Sequence, residues 1–351
     1  MVKKNVGLLQ MLSDYFTDYL PSVKGLSNNT ISSYQYAFQL LFEFMSNEKK
    51  LSPEKVTFES LTGGVITDYL NWLETSRKCS AKTRNLRRAA ISSFSKYAIR
   101  RSIGEGAAFF NEVRDTPKKK IPKDVDIKYF TKEEVAILLS LPTTSKATGY
   151  RDAVLLSLLY ASGARAQEIC DLTVNDIIFG KTTTIRLVGK GNKARRITVP
   201  ENCVRILKEY MNRNGMADGT DTSRLRHIFS SQTHEHMTIS CVEGITKKYL
   251  SQAKNEHPNL FRQHDYSPHS FRHSIAVHML ESGVPIPVIK VFLGHASIST
   301  TMVYAAVTPE LANKYLSSRN KLLESVNSPQ TPVAAFATLP FLKKGNQANI
   351  K

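Results

Sequence analysis

The chain has 351 residues, 41% of them hydrophobic, and 48 lysines and arginines against 30 aspartates and glutamates, a formal charge of +18. That length carries two ordinary domains, and the surplus of cations favours nucleic acid as partner over a solvated basic surface with no specific anion. Cys79, Cys170, Cys203 and Cys241 form no CxxC pair, which excludes a zinc ribbon or disulfide framework and suits a reducing cytoplasm; no segment approaches the roughly 20 apolar residues of a membrane span, and none resembles a secretion signal.

From about residue 7 to 103, apolar residues recur three and four apart in LLQMLSDYFTDYL, ISSYQYAFQLLFEFM, VITDYLNWLE and RNLRRAAISSFSKYAI, which predicts four helices. The fourth carries Lys82, Arg84, Arg87 and Arg88. Its spacing places 84, 87 and 88 on one side, with Leu86, Ala90, Ile91 and Phe94 as the core stripe. Such a basic outer face is either an ordinary solvated surface or a set of phosphate contacts. DTPKKKIPKDVDIKYF follows, with Lys118, Lys119 and Lys120 between prolines, and reads as an extended basic linker. The expected boundaries are a helical domain over 1–115, the linker over 116–130, a second domain over 131–318 and a tail over 319–351.

FTKEEVAILLSL announces a helix capped by Thr131 and closed by Glu134, and YRDAVLLSLLYASG predicts a buried helix ending at Gly163. β-Branched residues either side of GKGNK predict a hairpin, with strands near 183–188 and 195–199 and with Lys190 and Lys193 in the turn. Helical spacing returns near 201–213, 239–254, 268–282, 285–293 and 308–317, and Ser267 with Pro268 marks a helix start. The tail is broken by prolines and is either flexible or ordered only against a partner. There is no internal repeat.

Three constellations carry chemistry. In SPHSFRHSIAVHML, His269, Arg272 and His273 project from one side of a helix. Two histidines four apart can ligate a metal, whereas a guanidinium beside an imidazole suits the oxygens of a phosphate. Arg165 follows the helix-ending Gly163 and opens another helix, as a functional cation or a surface residue; Glu168, one turn on, either orients it or is a surface charge. LGHASISTTMVYAA places His295 and Tyr304 in a small, apolar, hydroxylated setting, where Tyr304 is a half-buried aromatic or a nucleophile.

Taken together, Arg165 in SGARAQE, Lys190 in VGKGNKARRITVP, His269 and Arg272 in PHSFRHS, His295 in LGHASISTT and Tyr304 in MVYAAV resemble, in order and approximate spacing, the tyrosine recombinase (phage integrase) family. The similarity runs from about 8 to 318 and is nearest to Xer-like and transposon-encoded members. It implies a mainly α fold with a small β-sheet, arranged as a two-domain DNA clamp with a helical core-binding domain ahead of a catalytic one. It implies that Arg165, His269, Arg272 and His295 surround the scissile phosphate, that Tyr304 attacks it, and that His269 accepts the phenolic proton. The resemblance also implies Lys190, rather than Lys193, as proton donor to the leaving oxygen, because it aligns with the family's position directly after the first glycine of the turn. Lys82, Arg84, Arg87, Arg88, Lys118, Lys119, Lys120 and Lys193 are the expected DNA contacts.

The activity implied is site-specific cutting and rejoining of DNA through a covalent 3′-phosphotyrosyl intermediate, with no cofactor and no metal, for integration, excision or resolution of a mobile element. A homo-tetramer on double-stranded recombination sites, a Holliday junction, an accessory recombination protein and a cytoplasmic location complete the expectation. Ala164 stands where the family often has a larger apolar residue, and the tail is longer than a minimal member needs. Two other readings share the fold: a DNA-binding regulator that has lost cleavage, and a topoisomerase-like enzyme.

Overall fold

The computed structural model describes residues 7–121, 127–189, 191–216, 224–231 and 234–305. The expected helix over 308–317 and the tail over 319–351 therefore lie outside the described residues, as does Lys190. The chain divides into two compact units, Met1–Asp124 and Val125–Lys351.

Among its described residues the first unit holds helices and no strand. α1 (Leu8–Asp14) runs on into a wider π-helical stretch, Tyr15–Val23; α2 (Asn28–Glu48), α3 (Gly63–Thr75), α4 (Ala81–Ala98) and α5 (Glu105–Asp115) follow. Ser80 caps α4 through the Thr83 amide, and Thr62 caps α3 through that of Val65. The core is strongly aromatic: Phe94 packs edge-on against Tyr15 at 5.3 Å and Phe38 at 5.4 Å. The sequence reading ended its helices near 103 and missed α5. Two glycines hid it, and one is required there, because a Cβ on Gly106 would lie 2.5 Å from the carbonyl oxygen of Ala98.

α4 corrects the expected basic outer face. Arg84 and Arg88 are buried, while Leu86, expected in the core, is 51% exposed. The inward stripe runs 84, 88, 91, 95, 98, a spacing of four and three that leaves 86 opposite. Arg88 donates from Nε to the Thr116 carbonyl at 2.7 Å and from Nη2 to that of Val113 at 3.1 Å, so it satisfies the open end of α5. Arg84 pairs with Glu74 at 3.4 Å. Arg87 lies over the Tyr36 ring at 4.7 Å and donates to the Ser33 carbonyl at 2.9 Å. Lys82 and the three linker lysines are exposed, and Lys119 reaches Glu74 at 2.9 Å. The ends of the expected linker are packed: the Lys119 backbone exchanges hydrogen bonds with the Asn85 side-chain amide at 2.8 and 3.0 Å, and Phe130 is fully buried.

The second unit is built around α7 (Ala147–Ser162), whose Val154, Leu155, Leu156, Leu158 and Leu159 are all buried. It follows α6 (Lys132–Ser140), where Thr131 and Glu134 close the expected capping box. α8 (Ala166–Cys170) leads to a three-stranded antiparallel sheet: β1 (Ile177–Ile178), β2 (Thr184–Gly189) and β3 (Lys193–Thr198), in that order. β2 and β3 form the expected hairpin, with Gly189 opposite Lys193. α9 (Glu201–Arg213), α10 (Ile239–Glu256), α11 (Pro268–Glu281), α12 (Ile286–Leu293) and the short α13 (Ser299–Met302) complete the described part of the unit. The chain is thus mainly α with a small β-sheet.

Candidate active site

The site begins where α7 stops. Gly163 caps that helix with φ of 55°, and a Cβ there would come within 2.9 Å of Leu293. Glycine fits both demands, a left-handed backbone and a close approach. The turn delivers Arg165 to the start of α8. Its backbone amide donates to Glu168 Oε2 at 2.9 Å and its Nη1 to Oε1 at 2.8 Å.

Glu168 is buried and holds a second guanidinium, that of Arg195 on β3, whose Nη1 and Nη2 donate to its two oxygens at 2.9 and 2.8 Å. Burial alone pushes the Glu168 carboxyl up, but the hydrogen bonds and charges of Arg195 and Arg165 outweigh it and leave the group below its ordinary value. Arg195 also donates from Nε to the Phe292 carbonyl at 3.0 Å, so one carboxylate fixes two cations from separate elements beside the end of α12. Gly189 closes this corner: a Cβ there would lie 3.0 Å from Glu168 Oε1 and 3.4 Å from Arg165 Nη1.

α11 supplies the next groups. The Ser267 amide donates to Ser270 Oγ at 3.1 Å and Pro268 occupies the first turn, at the helix start that the sequence predicts. Arg272 is completely buried; Nη1 donates to the Gly163 carbonyl at 2.6 Å and Nη2 to that of Leu293 at 2.7 Å, while Nε has no hydrogen-bond partner among the described residues. Burial, with Arg165 and Arg195 nearby, lowers its pKa to about 10, so it remains charged at neutral pH.

The histidines and the tyrosine close the site. The rings of His269 and His273 meet edge-on at 4.7 Å. His295 Nδ1 lies 2.9 Å from Thr301 Oγ1, and its ring is nearly parallel to that of Tyr304 at 6.4 Å. Tyr304 is 2% exposed, and its hydroxyl lies 3.0 Å from His273 Nδ1. Burial and the surrounding arginines lower all three histidines, His273 and His295 to about 4. They are neutral imidazoles at pH 7. Burial raises the Tyr304 phenol, partly offset by Arg272 and Arg165, so it keeps its proton until an acceptor takes it.

Five of the six residues singled out by sequence, Arg165, His269, Arg272, His295 and Tyr304, therefore gather in one place, while Lys190 lies outside the described residues and Lys193 is exposed on β3. Sequence reasoning passed over Arg195 and gave His273 no part beyond a metal pair. Strand alternation puts Arg195 on the same face as the buried Ile197, a signal that was there to use. Among the described residues no group of three or more histidines, cysteines or acids is placed to hold a metal ion, and no helix is long and apolar enough to cross a membrane.

Comparison with known proteins agrees with this architecture. Residues 128–310 match the phage integrase family model and residues 14–102 that of the phage integrase N-terminal SAM-like domain. The tyrosine recombinase XerC of Chlamydia caviae is 30% identical, covering 84% of this chain and 94% of its own. XerD of Vibrio cholerae is 29% identical, covering 86% and 93%. Among solved structures, the XerH recombinase bound to difH substrate superposes with a TM-score of 0.61 at 18% identity over 83% of this chain and 80% of its own. The Tn1549 transposon integrase in complex with transposon right end DNA gives 0.60 at 17% over 85% and 98%.

A SAM-like helical region ahead of a catalytic region of this kind defines a tyrosine-based recombination enzyme that acts on DNA. The chain belongs to the phage integrase family. Its activity is site-specific DNA recombination.

Proposed function

We propose that Tyr304 is the nucleophile and that Arg165, Arg272 and His295 bind the scissile phosphate. The observation that carries the reading is the Nε of the buried Arg272, without a partner among the described residues, in the cluster that holds the Tyr304 hydroxyl. The phenolic oxygen bonds to phosphorus, its proton passes to an imidazole, His269 by family resemblance, and the 5′ oxygen leaves with a proton from Lys190. Charge gathering on the equatorial oxygens is stabilised by guanidiniums already fixed in place, which need no reorganisation as the bond forms. The phosphodiester energy is kept in the 3′-phosphotyrosyl bond, so attack by another DNA end rejoins the strand without nucleotide hydrolysis.

Four protomers on two duplexes, a Holliday junction between two rounds of exchange, an accessory recombination protein and a cytoplasmic setting belong to the same proposal. DNA contacts outside the site fall to Lys82, Lys118, Lys119, Lys120, Lys193 and Arg87, whose side chains are not buried. Arg84 and Arg88 are engaged inside the first unit.

The test begins with wild-type protein and fragmented host genomic DNA. Covalent adducts trapped on a denaturing gel are sequenced to give the recombination site. The Tyr304→Phe variant should bind that site with unchanged affinity and form no adduct; an adduct that survives places the nucleophile elsewhere. Relaxation of a plasmid lacking the site would favour a topoisomerase-like enzyme instead.

A further inference from the structure

We propose that His273 is a positioning residue for the nucleophile: its Nδ1 accepts the hydrogen bond of the Tyr304 hydroxyl and fixes that oxygen for attack. The inference rests on Tyr304 being the nucleophile. Family resemblance assigns no part to His273, which sits one turn beyond His269 on α11.

Three observations converge on it. The Nδ1 to hydroxyl distance is 3.0 Å, and the two rings lie 5.7 Å apart, tilted by 58°. His273 is rigidly based: it lies on α11 between the buried Arg272 and Ser274, with the His269 ring against its own. Tyr304, in contrast, follows the four-residue helix α13. A hydroxyl on so short an element gains a defined position from a partner on a long, buried one.

The chemistry fits a positioning bond. A phenol that burial keeps protonated is a donor, and a neutral imidazole with its proton on Nε2 offers Nδ1 as acceptor. A cationic imidazole would have a donor on both nitrogens and could not hold the phenol in this way. Burial disfavours that cation most, and His269, Arg272 and His295 beside it disfavour it further. The neutral acceptor is thus maintained chiefly by burial, with Arg272, which is proposed to bind phosphate, acting in the same sense.

The experiment uses full-length protein and a nicked duplex carrying the site recovered from wild-type adducts, so that the cleaved end diffuses away and the covalent product accumulates. His273→Phe removes the acceptor and keeps a ring. The single-turnover rate of adduct formation should fall roughly 10- to 100-fold, the scale of losing a fixed reacting geometry, with DNA affinity unchanged. His273→Asn places an amide oxygen near the Nδ1 position and should restore most of the rate. His273→Gln, whose oxygen falls nearer Nε2, should not.

Wild-type rates for His273→Phe overturn the proposal. Where that variant unfolds early, the amide pair decides: an Asn variant no faster than the Gln variant overturns it equally. An adduct that survives Tyr304→Phe removes the nucleophile assignment itself. Adducts that need Tyr304 but ignore His273 remove only this inference.

Discussion

Arg195 grips Glu168 with both terminal nitrogens, at 2.9 and 2.8 Å, and Arg165 bonds the same carboxylate from Nη1 at 2.8 Å. The carboxylate is the common anchor of two cations, and removing it strands both. Glu168→Gln should lower unfolding stability by about 3 kcal/mol, the scale of breaking a buried ion pair. Urea denaturation checks this: the midpoint should drop with an unchanged slope. A midpoint equal to that of the wild type would mean that solvent, and not Glu168, compensates these arginines.

Arg88 and Lys82 share α4 and should behave as opposites. Arg88 is buried against the carbonyls at the end of α5, whereas Lys82 is exposed. Arg88→Ala should cost about 1 to 3 kcal/mol of stability, because it leaves buried carbonyls unsatisfied. Lys82→Ala should leave the melting temperature alone and reduce the slope of log affinity against log salt by about 0.9, the value of one phosphate contact. Binding titrations at several salt concentrations, paired with thermal melts, separate the two. An exchange of these phenotypes would refute the burial-based sorting.

This sorting also marks where the sequence was legible. The helix boundaries, the hairpin and the capping box of α6 follow from local periodicity and turn chemistry, which need only neighbouring residues. The gathering of Arg165, Arg272, His295 and Tyr304 was visible through family resemblance. What escaped depended on packing between distant segments. Arg84 and Arg88 looked like surface cations because nothing in RNLRRAA reveals that Glu74 and the end of α5 wait beneath them. α5 was hidden by a glycine whose role is to let a distant carbonyl approach. The bond between His273 and Tyr304 spans 31 positions, a separation at which helical spacing is silent.

Acid should weaken the second unit. His273 and His295 titrate near pH 4 in the folded protein, against an ordinary value of 6.5. Between those limits the unfolded chain binds more protons than the folded one. The stability they contribute is therefore complete above about pH 6.5 and declines as the pH falls towards 4. The slope is at most about 1.4 kcal/mol per pH unit for each ring, reduced by solvent screening of these partly exposed groups. Thermal melts at pH 7.0, 6.0 and 5.0 should show a falling midpoint, and a constant or rising one would contradict the buried, neutral histidine cluster.

The two carbonyls that hold Arg272 belong to Gly163, which caps α7, and Leu293, which ends α12. Both are helix carboxyl ends, where aligned peptide dipoles leave partial negative charge. Among the described residues no carboxylate is bonded to this guanidinium. Peptide dipoles thus steady a buried cation to which no described carboxylate bonds. A phosphate entering the cluster would supply a counter-charge there, so bound DNA should raise the melting temperature of the second unit. Recognition and the integrity of the core would then draw on the same electrostatic deficit.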